Sequence, residues 1–309
     1  MLGVALYSLL ISSAPEARYV VYILEHHITD ANKEKIRALQ QDFPCEIHFI
    51  SIHEHLVKYV SEEVDRFIWP TTMFGRFFLP SLLSEEDKAL YLDIDTLIMH
   101  DLGELYNQPL DGAVMGAVYE GANVAGFAAH LRELGIPASR GYFNSGVLLM
   151  DLRMMREEGV EAKLLEYLQE HTHLLRFPDQ DVLNAVLFER VKPMHPKWNW
   201  PPHHTRLLSR HPYPSWGNMG EEVARKAACN PSIIHFIGKD KPVYRCSTFY
   251  NELYRSIWRR SPWGDRPVTG KRWLHAFFKT LRCLPNDMAV RRILRREQQK
   301  AVESMPHGE

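Results

Sequence analysis

The sequence predicts an α/β fold, a sheet flanked by helices, and three observations carry that prediction. Short β-branched and aromatic runs alternate with helical segments, several apolar runs end abruptly in polar residues, and the composition suits a folded core. At 45% hydrophobic and 24% charged over 309 residues, the chain has the apolar mass of an ordinary soluble enzyme.

The elements follow in order. Residues 2–11 are an apolar run that superficially resembles a secretory leader, but no basic residue precedes it, so it is read as the first helix of the domain. Residues 19–24 form a strand, Asp30 can cap a helix reaching about Gln41, and residues 45–50 form a second strand. A polar helix is expected at 84–88, with strands at 89–92, 113–118 and 146–150. Helices at about 153–170 and 181–188 and a late strand at 233–237 complete the pattern. Between His195 and Gly217 the chain is rich in Pro, His and Trp without a helical period, which reads as a loop packed over something. No linker or repeat divides residues 1–258, so one domain with an appendage at 259–309 is the economical organisation.

Composition excludes several classes. Disorder and collagen are out, and the four cysteines form no CxxC and no short framework spacing, which argues for a reducing compartment and against a zinc ribbon. No apolar run reaches the roughly 18 residues that would span a bilayer. Charge is uneven: residues 259–300 hold twelve basic and three acidic side chains, a net of +9, whereas residues 1–258 hold 25 basic and 33 acidic, a net of -8.

The strongest local signal is Leu90-Tyr91-Leu92-Asp93-Ile94-Asp95-Thr96-Leu97. Two carboxylates one residue apart at a strand end crowd like charges into a small volume, which a hard divalent cation offsets. Haloacid-dehalogenase-type phosphatases and nucleotide-sugar glycosyltransferases both carry such a pair. The position about ninety residues into the chain, and the lack of a later strand ending in acidic residues, favour the transferases.

Three further segments follow: Tyr142-Phe143-Asn144-Ser145-Gly146-Val147, Pro178-Asp179-Gln180-Asp181, and His235-Phe236-Ile237-Gly238-Lys239-Asp240-Lys241-Pro242. With the Asp-x-Asp strand, and in this order, they resemble glycosyltransferase family 8, the retaining enzymes that include bacterial lipopolysaccharide glucosyl- and galactosyltransferases and glycogenin. The resemblance implies a GT-A type fold, a Rossmann-like mixed sheet with flanking helices, whose first strand is missing from this sequence. It also implies a metal site of Asp93, Asp95 and His235 for Mn²⁺ or Mg²⁺, and donor contacts from Arg76, Asp93, Ile94, Asp95, Asn144, Gly238 and Lys241. Asp179, Gln180 and Lys241 are the implied catalytic residues, with Lys241 meeting leaving-group charge and Asp181 left as a helix cap.

The activity so implied is transfer of a hexose from a UDP-sugar, with retained configuration, onto lipopolysaccharide or another surface glycan. A glycan-binding or scaffold protein without activity and a phosphatase are the alternatives. Val243-Tyr244 departs from the family pattern on the acceptor side, and the loop 120–140 and the segment Trp198-Asn199-Trp200-Pro201-Pro202-His203-His204 are where an acceptor would lie. The tail, with Arg291-Arg292-Ile293-Leu294-Arg295-Arg296, suits an anionic membrane surface, which implies a cytoplasmic protein peripheral on the inner membrane. Nucleic acid is not expected as a partner.

Overall fold

The computed structural model describes residues 1–59, 71–120, 124–137, 139, 141–205, 220–238, 241–242, 249–264, 288, 291–292 and 295. In chain order the elements begin with α1 (Leu2–Ile11), β1 (Tyr19–Glu25), α2 (Asp30–Asp42), β2 (Cys45–Ser51), α3 (His53–Tyr59), α4 (Leu79–Leu82), β3 (Lys88–Leu92), β4 (Thr96–Ile98), α5 (Gly103–Tyr106) and β5 (Met115–Tyr119). They continue with α6 (Val124–Glu133), β6 (Phe143–Asp151), α7 (Leu152–Glu157), α8 (Val160–His171), α9 (Pro178–Leu187), β7 (Val191–Pro193), α10 (Pro202–Thr205), α11 (Glu221–Cys229), β8 (Ile233–His235) and α12 (Phe249–Arg260). Two compact units share this chain: Met1–Ser13 with Asp93–Leu102 and His195–Glu309, and Ala14–Leu92 with Gly103–Met194.

The second unit holds most of the strands. β1 and β2 pair in parallel, from Tyr19↔Cys45 to Glu25↔Ser51. A separate four-stranded ladder runs β3-β6-β5-β7, antiparallel across β6 and parallel between β5 and β7. Every residue of β6 except Asp151 is buried, as a central strand covered on both faces requires. Its core joins Met115, Ala117, Phe143, Leu148 and Met150 to Leu164, Leu168, Val182 and Leu183 of the helices and to Phe74, Phe77 and Phe78.

Two expected helices differ in this unit. Residues 84–88 form a turn entering β3, because Nη1 of Arg156 takes the carbonyls of Pro80, Leu83 and Glu86 at 3.2, 3.2 and 3.0 Å and so satisfies them from outside any helical ladder. The helix expected over 153–170 divides into α7 and α8 at Gly159, whose φ of 62° is the left-handed conformation that ends a helix and that a Cβ disfavours.

The first unit is built on the antiparallel pair β4 and β8, with Thr96 opposite His235. The apolar run read as a first helix is α1, which lays Val4 into a core with Leu97, Trp200, Ile234, Phe236, Tyr250, Tyr254 and Ile257. Ser8 would be a buried polar defect there, but its hydroxyl donates to Ala5 O at 2.7 Å and accepts the Ile98 N–H at 3.0 Å, tying α1 to β4. The segment Trp198–His204 is packing rather than an open aromatic platform: Trp198 and Trp200 are 1% and 0% exposed, and Trp200 pairs its backbone with Ile233 and His235. No helix among the described residues is long and apolar enough to cross a membrane. Val243-Tyr244, most of the basic tail and parts of the loop 120–140 lie outside the described residues.

Candidate functional site

The residues singled out in the sequence fall into two groups, one in each unit. In the first unit Asp93 and Asp95 occupy the turn before β4, and His235 closes β8. The antiparallel register that places Thr96 opposite His235 brings the preceding carboxylate beside the ring. Backbone bonds fix this corner: Phe236 N–H donates to Asp95 O at 2.9 Å, and the Thr96 hydroxyl donates to Asp93 O at 2.7 Å. Ile94, between the two carboxylates, is an exposed apolar side chain.

His235 Nε2 lies 3.2 Å from Asp95 Oδ1 and 3.6 Å from Asp93 Oδ2, while its Nδ1 lies 2.9 Å from Asn199 Oδ1. Without an ion, Nε2 carries the proton that faces Asp95; with Nδ1 donating to Asn199, loss of that proton would turn an Nε2 lone pair to an ion held between the two carboxylates. Acceptors converging on one point suit a cation, and the ligand atoms of Asp93, Asp95 and His235 all lie within 4.8 Å of one another. Two carboxylates and one imidazole form a mainly oxygen donor set appropriate to Mn²⁺ or Mg²⁺, so the residues fit the ion that the sequence implied. Lys241 Nζ stands 3.3 Å from Asp95 Oδ2. Burial alone would raise the Asp95 carboxyl, but the His235 ring and Lys241 outweigh it and hold its pKa at about 2. Asp95 is therefore a carboxylate throughout any working pH. Gly238 follows with φ 60° and no described atom within 4 Å of where a Cβ would stand, the backbone freedom expected where a chain turns close to a ligand.

Asn199 was legible only as part of an aromatic segment. Its placement predicts that Asn199→Ala, by releasing the His235 ring, lowers Mn²⁺ affinity by roughly 10–100-fold in a direct titration, the usual scale for a partner behind a metal ligand.

The second unit gathers Arg76, Asn144, Asp179 and Gln180. Arg76 is buried, pairs with Asp179 Oδ2 at 3.0 Å, donates to Ser145 O at 2.5 Å and Met73 O at 3.0 Å, and lies 4.4 Å over the Tyr91 ring. A guanidinium so shared is a fixed charge rather than a helix-surface one. Gln180 Oε1 accepts from Asn144 Nδ2 and Ser145 N, both at 3.1 Å, and Asn144 Nδ2 also donates to Glu120 Oε1 at 3.0 Å. Asn144 Oδ1 takes the Gly146 N–H at 2.9 Å, which fixes which way that amide points.

Asp181 is not a cap for the residues ahead of it. It is fully buried and accepts from the N–H groups behind it, Arg176 at 2.6 Å and Phe177 at 2.9 Å, as well as from Tyr142 Oη at 2.5 Å, with His130 Nε2 at 3.0 Å. Burial and this carboxylate push the Tyr142 hydroxyl well above its ordinary pKa, so it stays a donor. Asn184 completes the anchorage, exchanging two 2.9 Å bonds with the Phe143 backbone and holding α9 against β6. Ser145 and Asn184 lie within or beside the motif segments and Glu120 opens the loop 120–140, but the sequence assigns none of them a role; their hydrogen bonds do.

A mixed α/β core with an Asp-x-Asp turn beside a strand-end histidine defines a GT-A type glycosyltransferase fold. The solved galactosyltransferase LgtC, in complex with donor and acceptor sugar analogs, has that fold and matches with a TM-score of 0.70 at 21% identity, over 89% of this chain and 95% of that one. Within that class the chain belongs to glycosyl transferase family 8, whose sequence profile matches residues 1–242. General stress protein A of Bacillus subtilis is 27% identical over 249 residues, covering 78% of this chain and 82% of the relative. The lipopolysaccharide 1,2-glucosyltransferase of Escherichia coli is 29% identical over 209 residues, 64% of this chain and 57% of that relative's length. Family membership decides against a phosphatase.

Proposed function

We propose that the protein is a metal-dependent, retaining glycosyltransferase that moves a hexose from a UDP-sugar to a glycan acceptor, lipopolysaccharide or another bacterial surface glycan. The observation that carries this reading is the convergence of Asp93, Asp95 and His235 at the β4–β8 corner of a family 8 chain. Support for the acceptor class comes from the E. coli relative, which is named for transfer to lipopolysaccharide.

Asp93, Asp95 and His235 would hold Mn²⁺ or Mg²⁺, which when bound supplies charge stabilisation for a departing diphosphate. Lys241, already beside Asp95, contributes a further positive charge for the same purpose, and Gly238 lets the backbone approach the phosphates. Ile94 lies between the two aspartates as a donor contact. Arg76 and Asn144 position the donor, and Asp179 and Gln180 serve the sugar's reactive carbon. Gln180 is an amide whose oxygen already accepts two hydrogen bonds, and the Asp179 carboxylate is held by Arg76 and by the Ser145 hydroxyl at 2.8 Å. The amide is a poor nucleophile and the carboxylate is engaged elsewhere, so the reading favours attack by the acceptor hydroxyl on the face the UDP leaves, which retains configuration, with double displacement through Asp179 as the lesser alternative.

A donor screen with Mn²⁺ that measures UDP release, followed by NMR of the first-formed anomer, tests this. Release from a UDP-hexose with an α-configured product is expected; an inverted product contradicts the reading. The tail adds a membrane prediction. Each basic residue near an anionic surface contributes about 1 kcal/mol, so the net +9 of residues 259–300 outweighs the repulsion of the acidic body. Deleting residues 259–309 is expected to abolish sedimentation with anionic vesicles while leaving UDP binding intact. Undiminished pelleting after the deletion contradicts the membrane role.

A further inference from the structure

We propose that His26, His27 and His53 form a second metal site, one for a borderline divalent cation of the zinc type, at the carboxyl ends of β1 and β2. His53 is remote in sequence from the other two, and the strand register closes the gap. β1 and β2 run in parallel to Glu25↔Ser51, and Ile52 N–H donates to Glu25 O at 3.2 Å just beyond the ladder. His26 and His27 leave the end of β1, and His53 opens α3, so the three rings meet at one edge. Ring centroids are 4.1 Å apart for His26 and His27, 5.5 Å for His26 and His53, and 6.2 Å for His27 and His53. One nitrogen of each ring lies within 4.8 Å of the others.

Two independent observations distinguish this group from a chance cluster of surface imidazoles. Nδ1 of His26 is buried and has no hydrogen-bond partner among the described residues, a condition that folded proteins rarely leave unexplained. His27 adopts φ 61°, the left-handed region that a side chain with a Cβ disfavours, and only Asp111 shares that property among the described non-glycine residues. Backbone strain kept at a residue that contributes to a ligand-like cluster points to function. His27 and His53 are exposed, so an ion reaches the site from solvent.

The donor set decides the class of ion. Three neutral imidazoles suit Zn²⁺, Cu²⁺ or Ni²⁺, whereas hard Mn²⁺ and Mg²⁺ favour the carboxylates of the Asp93, Asp95 and His235 group. Three protein ligands leave a coordination position for water or an exogenous group. An ion held there ties the end of β1 to the start of α3, so binding is expected to raise the melting temperature.

The test uses the full chain carrying Asp95→Asn, so that the carboxylate site does not obscure the result, with Zn²⁺ as probe and Mn²⁺ as the hard comparison. Calorimetry is expected to show a Zn²⁺ step that is absent with Mn²⁺, accompanied by a Zn²⁺-dependent rise in Tm. His27→Gly and His53→Gln are each expected to weaken that step about tenfold or more. His27→Gly also relieves the left-handed strain, so without zinc it should melt no lower than its parent, which separates loss of the site from loss of the fold. A Zn²⁺ step of unchanged affinity and stoichiometry in both variants, or no Zn²⁺ step in the parent, overturns the proposal.

Discussion

Asp95→Asn is expected to cut sugar transfer by at least about 100-fold and to remove its dependence on Mn²⁺, while the protein remains folded. The magnitude follows from the position of the residue. Losing a group that merely orients a metal ligand costs about 10–100-fold, and on the proposed reading Asp95 would itself be one of the three ligands. Its carboxylate also faces the His235 ring at 3.2 Å and Lys241 at 3.3 Å, so the amide leaves two groups without the negative charge that holds them. Steady-state rates across a Mn²⁺ series, alongside a thermal melt, check this. A variant that keeps the wild-type metal response would remove Asp95 from the site.

Asp181→Ala is expected to be among the most destabilising single changes in the second unit. The fully buried carboxylate serves the buried Tyr142 hydroxyl and His130 and two part-buried backbone N–H groups, and each fully buried donor left unmade costs about 1–3 kcal/mol, the part-buried ones less. Their joint loss is worth at least ~4 kcal/mol, which lowers the melting temperature by roughly 10 °C for a unit of this size. Asp181→Asn keeps an acceptor oxygen and should lose less. Because α9 carries Asp179 and Gln180 on the adjacent positions, the Ala variant is expected to lose transfer activity in proportion to its loss of folded protein. Normal melting of Asp181→Ala would mean that the network does not anchor α9.

How much was legible in the sequence depended on whether a feature is local. The strand runs at 19–24, 45–50 and 89–92 lie within β1, β2 and β3, because β-branched and aromatic residues between polar stops declare themselves without help from the rest of the chain. Asp93, Asp95 and His235 were found through motifs and do converge. Features set by distant partners were not readable. The turn at 84–88 depends on Arg156, some seventy residues away, whose guanidinium takes the carbonyls that a helix would have used. Asn199 acquires its place behind His235 only when β8 is laid beside the segment that carries it. Asp181 reads as a cap because it stands in the first turn of a helix, yet its hydrogen bonds run backward to Arg176 and Phe177 and across to Tyr142, just ahead of β6, and to His130 of α6. Trp198 and Trp200 were open to two readings, a sugar platform or packing, and burial chooses packing. The division at Gly159 is the departure nearest to legibility, since a glycine inside a helical pattern is itself a stop signal.

The central claim is that the β4–β8 corner binds a nucleotide diphosphate through a metal ion. Calorimetric titration of UDP into the intact protein, once with Mn²⁺ and once with EDTA, tests it most directly. Binding at least about tenfold tighter with Mn²⁺, abolished by Asp95→Asn, is the expected result. Equal affinity in the two titrations would contradict the assignment of Asp93, Asp95 and His235 as the donor's metal site.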